Sequence, residues 1–159
     1  MFERDGNAPW PTLLIRLLVG GVFVSEGIQK FLYPEFVGAG RFERIGLPAP
    51  EVLAPMVGLA EIVFGAMVLV GLYTRVAVVP LLLIMVVAIL STKIPILLGR
   101  PWGPFALRSV DYYGFFGMAH ASRNDLAMVV GSLFLLLVGP CRFSVDAARN
   151  PSAKKTTQR

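Results

Sequence analysis

The sequence predicts an all-α integral membrane protein: a four-helix bundle with antiparallel, up-down helices. Three observations predict it. Of 159 residues, 55% are hydrophobic and only 16% are charged, whereas a soluble domain carries about 25% charged residues. The apolar residues fall into four runs, three of them near the roughly twenty residues that cross a bilayer. The segments between runs are too short for a further domain, and the chain is too short for several soluble ones.

The elements follow in order. Residues 1–11 are a polar segment in which Trp10 stands between Pro9 and Pro11. Trp10 suits an interfacial anchor and Pro11 a first helical turn. The first run is longer than a signal-peptide core and no small-residue cleavage site follows, so it is expected to stay as a span, 12–33. Within it Arg16, Gly20, Phe23, Gly27 and Lys30 form one stripe, with Glu26 beside it. Glu26 and Lys30 make an i,i+4 pair in the favourable order. Two readings stand: a structural pair with Lys30 snorkelling, or a functional pair. After Pro34 come Gly38, Gly40, Gly46, Pro48 and Pro50. This stretch is expected to be a short amphipathic interfacial piece or an ordinary loop.

The second span, 51–73, carries Glu61, and Gly58, Glu61 and Gly65 share one helix face. Glycines let helices approach closely in lipid, so Gly20, Gly27, Gly58 and Gly65 are the expected packing positions. Glu61 then faces the bundle, and an ionisable group at that depth is a functional candidate by default. A tight turn at Thr74-Arg75 leads into the third span, 75–98, so these two helices form a hairpin. Lys93 near its far end is either a snorkelling lysine or a ligand.

The loop 99–124 interleaves Trp102, Phe105, Tyr112, Tyr113, Phe115 and Phe116 with glycine, and adds His120 and Arg123. It is either an aromatic belt on the membrane surface or a lid over a site. As a lid it makes Trp102, Tyr112, His120 and Arg123 substrate-binding candidates. The fourth span, 125–140, is short, and Asn124 or Asp125 can cap it. A transmembrane domain over 12–141 is thus followed by a basic tail, 142–159, whose end from Asn150 is expected to be disordered.

Composition excludes several classes. One cysteine, Cys141, and one histidine rule out an intramolecular disulfide, a structural zinc site and bis-histidine haem within this chain. No metal is expected. The sequence pI is near 9.8, yet the basic residues sit at span ends and in the tail, so orientation in a bilayer explains them and nucleic acid does not. With four spans, the side of the termini holds Arg4, Arg75, Arg142, Arg149, Lys154, Lys155 and Arg159, seven residues. The other side holds Arg41, Arg44, Arg100, Arg108 and Arg123, five. Both termini are therefore expected in the cytoplasm.

Depth then concentrates the polar groups. Glu26 lies about 10 Å, Glu61 about 15 Å and Lys93 about 7 Å from the outer end of their spans. Arg16 is the charge within a span near the inner end. Such a cluster is either a pocket or a structural ion-pair network, and stability alone is a weak reason to keep it. As a pocket, Glu61 and Glu26 would handle protons, and Lys30, Lys93 or Arg123 would hold an anion or a carbonyl oxygen. Aromatic residues would stack on a ring. A redox role would need a bound quinone or a partner carrying the cofactor.

Several pieces of the chain, in their order and spacing, resemble the DoxX family of small four-span bacterial membrane proteins. They are Arg16-Leu-Leu-Val-Gly-Gly-Val-Phe with Gly27-Ile-Gln-Lys30-Phe, then Gly58-Leu-Ala-Glu61-Ile-Val-Phe-Gly with Gly71-Leu-Tyr-Thr-Arg75. Arg123-Asn-Asp125-Leu-Ala-Met and Gly139-Pro-Cys-Arg-Phe-Ser144-Val-Asp146 complete them. The resemblance covers Leu14 to Asp146. It implies a multi-pass protein of a bacterial inner membrane, with some relatives acting as subunits of a thiosulfate:quinone oxidoreductase. The family's Glu, Lys and turn Arg fall on Glu61, Lys30 and Arg75. The functional expectation is a quinone-linked oxidoreductase component. The alternatives are a structural or assembly subunit of a larger membrane redox complex, by self-association or with other subunits, and third a small-solute transporter. The chain carries no autonomous cofactor motif, so whether it is itself an enzyme stays open at this level.

Overall fold

The computed structural model describes residues 8–149; the expectations for the polar N-terminus before Ala8 and for the tail from Asn150 lie outside the described residues. The described chain is helical: α1 Thr12–Leu32, α2 Pro34–Val37, α3 Ala39–Arg44, α4 Pro50–Val70, α5 Thr74–Leu98, α6 Phe115–Ala121, α7 Arg123–Val138 and α8 Val145–Arg149. Three helices, α1, α4 and α5, are long and apolar enough to cross a membrane. The pair α6–α7, bent by 63° at its junction, makes a fourth if counted as one span. With 21 residues each, α1 and α4 run about 31 Å, the thickness of a hydrocarbon core.

Local chemistry sets the ends. Tyr33 precedes proline, which disfavours helical backbone there, and α1 stops. Pro34 and Pro50 open α2 and α4 at a position where a missing N–H costs nothing. Gly71 closes α4 at φ +71°, a left-handed cap that suits glycine. The amide of Leu72 then donates back to the Met67 carbonyl at 2.9 Å, and α5 starts at Thr74.

The four long helices pack as a ring in the order α1, α4, α5, α7. The α1–α4 contact is the closest, and glycine makes it so. A Cβ added at Gly27 would sit 2.5 Å from the Gly58 carbonyl oxygen, and one at Gly20 would sit 2.7 Å from that of Gly65. The pairs Gly20/Gly65 and Gly27/Gly58 run in opposite senses along the two helices, which are thus antiparallel.

The bundle is filled unequally. Val19, Val68, Ala77, Val78, Leu81 and Leu135 form a continuous apolar core in the half nearer the termini, closed off by Phe23, Met85 and Met128. The distal half is closed by α3, whose Ala39 and Phe42 bury against Ala54. The segment after α1 is therefore a pair of short helices packed on the bundle and not an ordinary loop. The stretch 99–124, expected to lack structure of its own, contains α6 and a tight turn in which the amides and carbonyls of Trp102 and Phe105 exchange hydrogen bonds at 3.1 and 3.0 Å. Backbone bonds from Ala106 to Ile45, 3.2 Å, and from Gly114 to Ile96, 3.0 Å, pin it to the bundle.

Candidate functional site

At the proximal end, charged side chains are spent on backbone. Arg16 is 1% exposed. Its guanidinium donates to the carbonyls of Val68 (3.0 Å) and Leu69 (2.6 Å), which end α4, and to that of Phe143 (2.7 Å). Cys141 Sγ lies 3.3 Å from the same group. Arg75 Nη2 donates to the carbonyls of Leu137 (3.1 Å) and Val138 (3.4 Å), which end α7. The Asp146 carboxylate accepts from the amides of Tyr73 (2.9 Å) and Thr74 (3.3 Å), which begin α5. Helix ends leave four carbonyls or amides without partners. Cations therefore suit carboxyl ends and anions suit amino ends.

At the distal end, charged side chains face a cavity of about 520 Å³. Its floor is Phe23, Met85 and Met128, its roof is α3, and α1, α4, α5 and α7 form its walls. Lys30 Nζ of α1 meets Glu61 Oε2 of α4 at 2.6 Å, with both side chains buried. The same Nζ lies 3.5 Å from the Glu26 carbonyl oxygen. Lys93 of α5 meets Asp125 Oδ2 of α7 at 2.9 Å. The two pairs bind the helices two by two around the ring. Glu26 of α1 and Arg41 of α3 also line the space, half-buried. Neither makes an ion pair among the described residues. Ser91 and Thr92 line it too, their hydroxyls donating to the Ala88 carbonyl at 3.3 and 2.6 Å. The cavity thus holds three cations and three carboxylates.

The structure brings Glu61, Glu26, Lys30 and Lys93 to one space. It does not bring His120, Arg123, Tyr112 or Trp102 there. Those four are exposed and absent from the lining. Arg123 Nε donates to the His120 carbonyl at 2.9 Å, and its Nη2 lies 3.1 Å from His120 Nε2. Tyr112 stands edge-on to His120, ring centroids 6.1 Å apart. This is a local surface cluster, because α6 turns away from α7 by 63° and carries His120 outward. The helix α3 covers the cavity, and from the stretch 99–124 Ala121 and Asn124 reach its lining. Lys30 does not snorkel, since Glu61 holds it inside.

Sequence reasoning passed over two members of the site. Arg41 sits in a polar connector, where a basic residue draws no notice, and only the folding of α3 over the bundle turns it inward. Asp125 was read as a helix cap. Its partner Lys93 is in another run, and the available signal was that one lysine and one aspartate share the same depth at facing helix ends.

The DoxX family model matches residues 12–94. The chain belongs to the DoxX family. The matched stretch holds Glu26, Lys30, Arg41, Glu61 and Lys93, while Asp125 lies beyond it. The chain is similar to an uncharacterised membrane protein of Mycobacterium tuberculosis, 53% identical over 147 residues that cover 86% of each chain. No solved structure matches the chain significantly.

Proposed function

We propose that this DoxX protein is a quinone-linked component of a membrane oxidoreductase, and that the distal cavity receives the quinone ring. One observation carries the reading. Paired and unpaired charges line an apolar-walled cavity in the half of the bundle where solid apolar packing would serve stability at least as well. Size and chemistry fit the group. Small-molecule sites are spaces of about 300–1,000 Å³, mostly apolar, with a few convergent polar groups. Phe23 and Phe42 offer ring faces, and Lys30, Lys93 and Arg41 offer donors for carbonyl oxygens. When bound, the quinone supplies two-electron, two-proton redox chemistry. The chain's own residues do the rest. Lys30 and Lys93 orient the oxygens, each held by its carboxylate. Glu26, with no ion pair of its own among the described residues, takes up or returns a proton, and Glu61 passes one through its contact with Lys30. No side chain here carries electrons, so a partner subunit delivers them. The reading places the protein in a bacterial inner membrane with both termini cytoplasmic, on the balance of basic residues.

Calorimetric titration of decylubiquinone into the purified protein in nanodiscs tests it. Glu61→Gln and Glu26→Gln are each expected to weaken binding or its pH dependence with helicity intact. Glu26→Gln is the safer variant, since it leaves no buried lysine unpaired. Wild-type protein that takes up no quinone would sink the reading.

A second reading is an assembly subunit of a larger membrane redox complex. The exposed Phe115–Phe116 pair on α6, and separately the exposed Phe36 on α2, favour it by offering apolar side chains on short helices beside the bundle. Intact assembly and activity of such a complex without this chain would count against it.

A further inference from the structure

A ligand reaches the distal cavity either from water, through the roof, or from the bilayer, through a wall. The roof is packed. Ala39 and Phe42 are buried on Ala54, with Leu47, Leu53 and Val57 around them. The chain enters α3 by a tight path: a Cβ at Gly38 would lie 2.6 Å from the Lys30 carbonyl oxygen, and one at Gly40 would lie 2.6 Å from that of Glu35. The wall between α4 and α5 differs. Leu83 and Val87 of α5 line the cavity, yet they are 62% and 47% exposed on the outside of the bundle. A side chain that borders the interior and also faces outward marks an opening. Leu83 and Val87 lie four apart, on one helix face. Leu53 and Val57 of α4, also four apart, line the same cavity and are half-buried. The turn Gly71–Tyr73 joins α4 and α5 at their other end, so the hairpin is tied proximally.

We propose a lateral portal between Leu53/Val57 and Leu83/Val87. It admits a membrane-dissolved amphiphile, with the polar ring seated among the ion pairs and the apolar tail lying in the gap. All four portal side chains are aliphatic, which matches a hydrocarbon tail and disfavours a water-soluble anion arriving by that route. The inference rests on the quinone reading for the ring. For the ligand it adds a class, a long-tailed lipid-phase molecule, and a route.

Two probes test it: decylubiquinone and the same ring without its tail. They are titrated into wild type, Leu83→Trp and Val57→Trp/Leu83→Trp in nanodiscs. Leu83→Trp alone replaces a lipid-facing side chain and keeps the test open if the double variant unfolds. The tailed probe is expected to lose about tenfold or more in affinity, 1.4 kcal/mol or more, while the tail-less ring stays within about twofold of its wild-type value. Unchanged tailed binding overturns the portal and leaves the site reading standing. Equal loss of both probes also overturns it, because the indoles then act on the ring site. A wild-type protein that binds neither probe ends the site reading, and the portal with it.

Discussion

Arg16 shows how a buried charge can be structural. Its four hydrogen bonds go to three carbonyls and the Cys141 sulfur, and none goes to a carboxylate. The planar fork reaches two helix-end carbonyls and the chain beyond α7 at once, which a lysine's single ammonium does not reproduce. Removing it strands buried carbonyls at about 1–3 kcal/mol each. Arg16→Met is expected to destabilise by about 3 kcal/mol or more, and Arg16→Lys by less. Thermal unfolding in detergent measures this, and an unchanged midpoint for Arg16→Met would refute the capping role. Quinone binding by whatever protein remains folded should match wild type, since Arg16 is at the other end of the bundle. Lys30 and Glu61 are the counter-case. Each meets the other across α1 and α4, and both face open space. Residue type alone does not separate the two cases; what each charge points at does.

At the scale of the element, the α1–α4 interface is a lock of backbone on backbone. Gly27 admits no side chain, because its Cβ would collide with the Gly58 carbonyl, whereas a Cβ at Gly21 meets nothing within 4 Å. Gly27→Ala is therefore expected to cost about 1–3 kcal/mol as overpacking. Gly21→Ala is expected to stay within about 0.5 kcal/mol or to stabilise slightly, since alanine favours helix. Equal unfolding midpoints for the two variants would refute the lock. Gly27→Ala should also weaken quinone binding, because Lys30 and Glu61 meet across this interface one turn away. This interface was legible in the sequence, since Gly58, Glu61 and Gly65 share a face by spacing alone. So were Lys30 and Lys93, because a charge in an apolar run stands out. Arg41 and Asp125 were not. In polar connectors and helix caps a charge is ordinary, and its direction depends on how α3 folds back and how α7 meets α5. His120, Tyr112 and Trp102 mislead for the converse reason: polarity and aromaticity near a span end say nothing of which way the chain turns there.

Over the whole molecule, the division of labour between the two ends depends on α7 crossing the bilayer. Its 16 residues span about 24 Å, short of a core of about 30 Å. Both ends are nevertheless held by charged side chains. Arg75 caps the carboxyl end, and Lys93 reaches Asp125 at the amino end. The bend at Ser122 lets α6 turn aside at the level where the apolar run stops. With α7 crossing, α6 and α8 lie on opposite faces, and the proposed orientation, from seven basic residues against five, predicts α8 in the cytoplasm. Single cysteines at Phe116 and Arg149, both exposed, report this directly, because native Cys141 is fully buried and should not react. In intact cells a membrane-impermeant maleimide is expected to label the Phe116→Cys variant, and to label Arg149→Cys only after permeabilisation. The reverse pattern would keep four crossings and invert the protein, turning the cavity toward the cytoplasm. Labelling of both from one side would mean that α7 does not cross. Lys93–Asp125 would then lie at a membrane surface, and the case for a shielded redox pocket would fall with it.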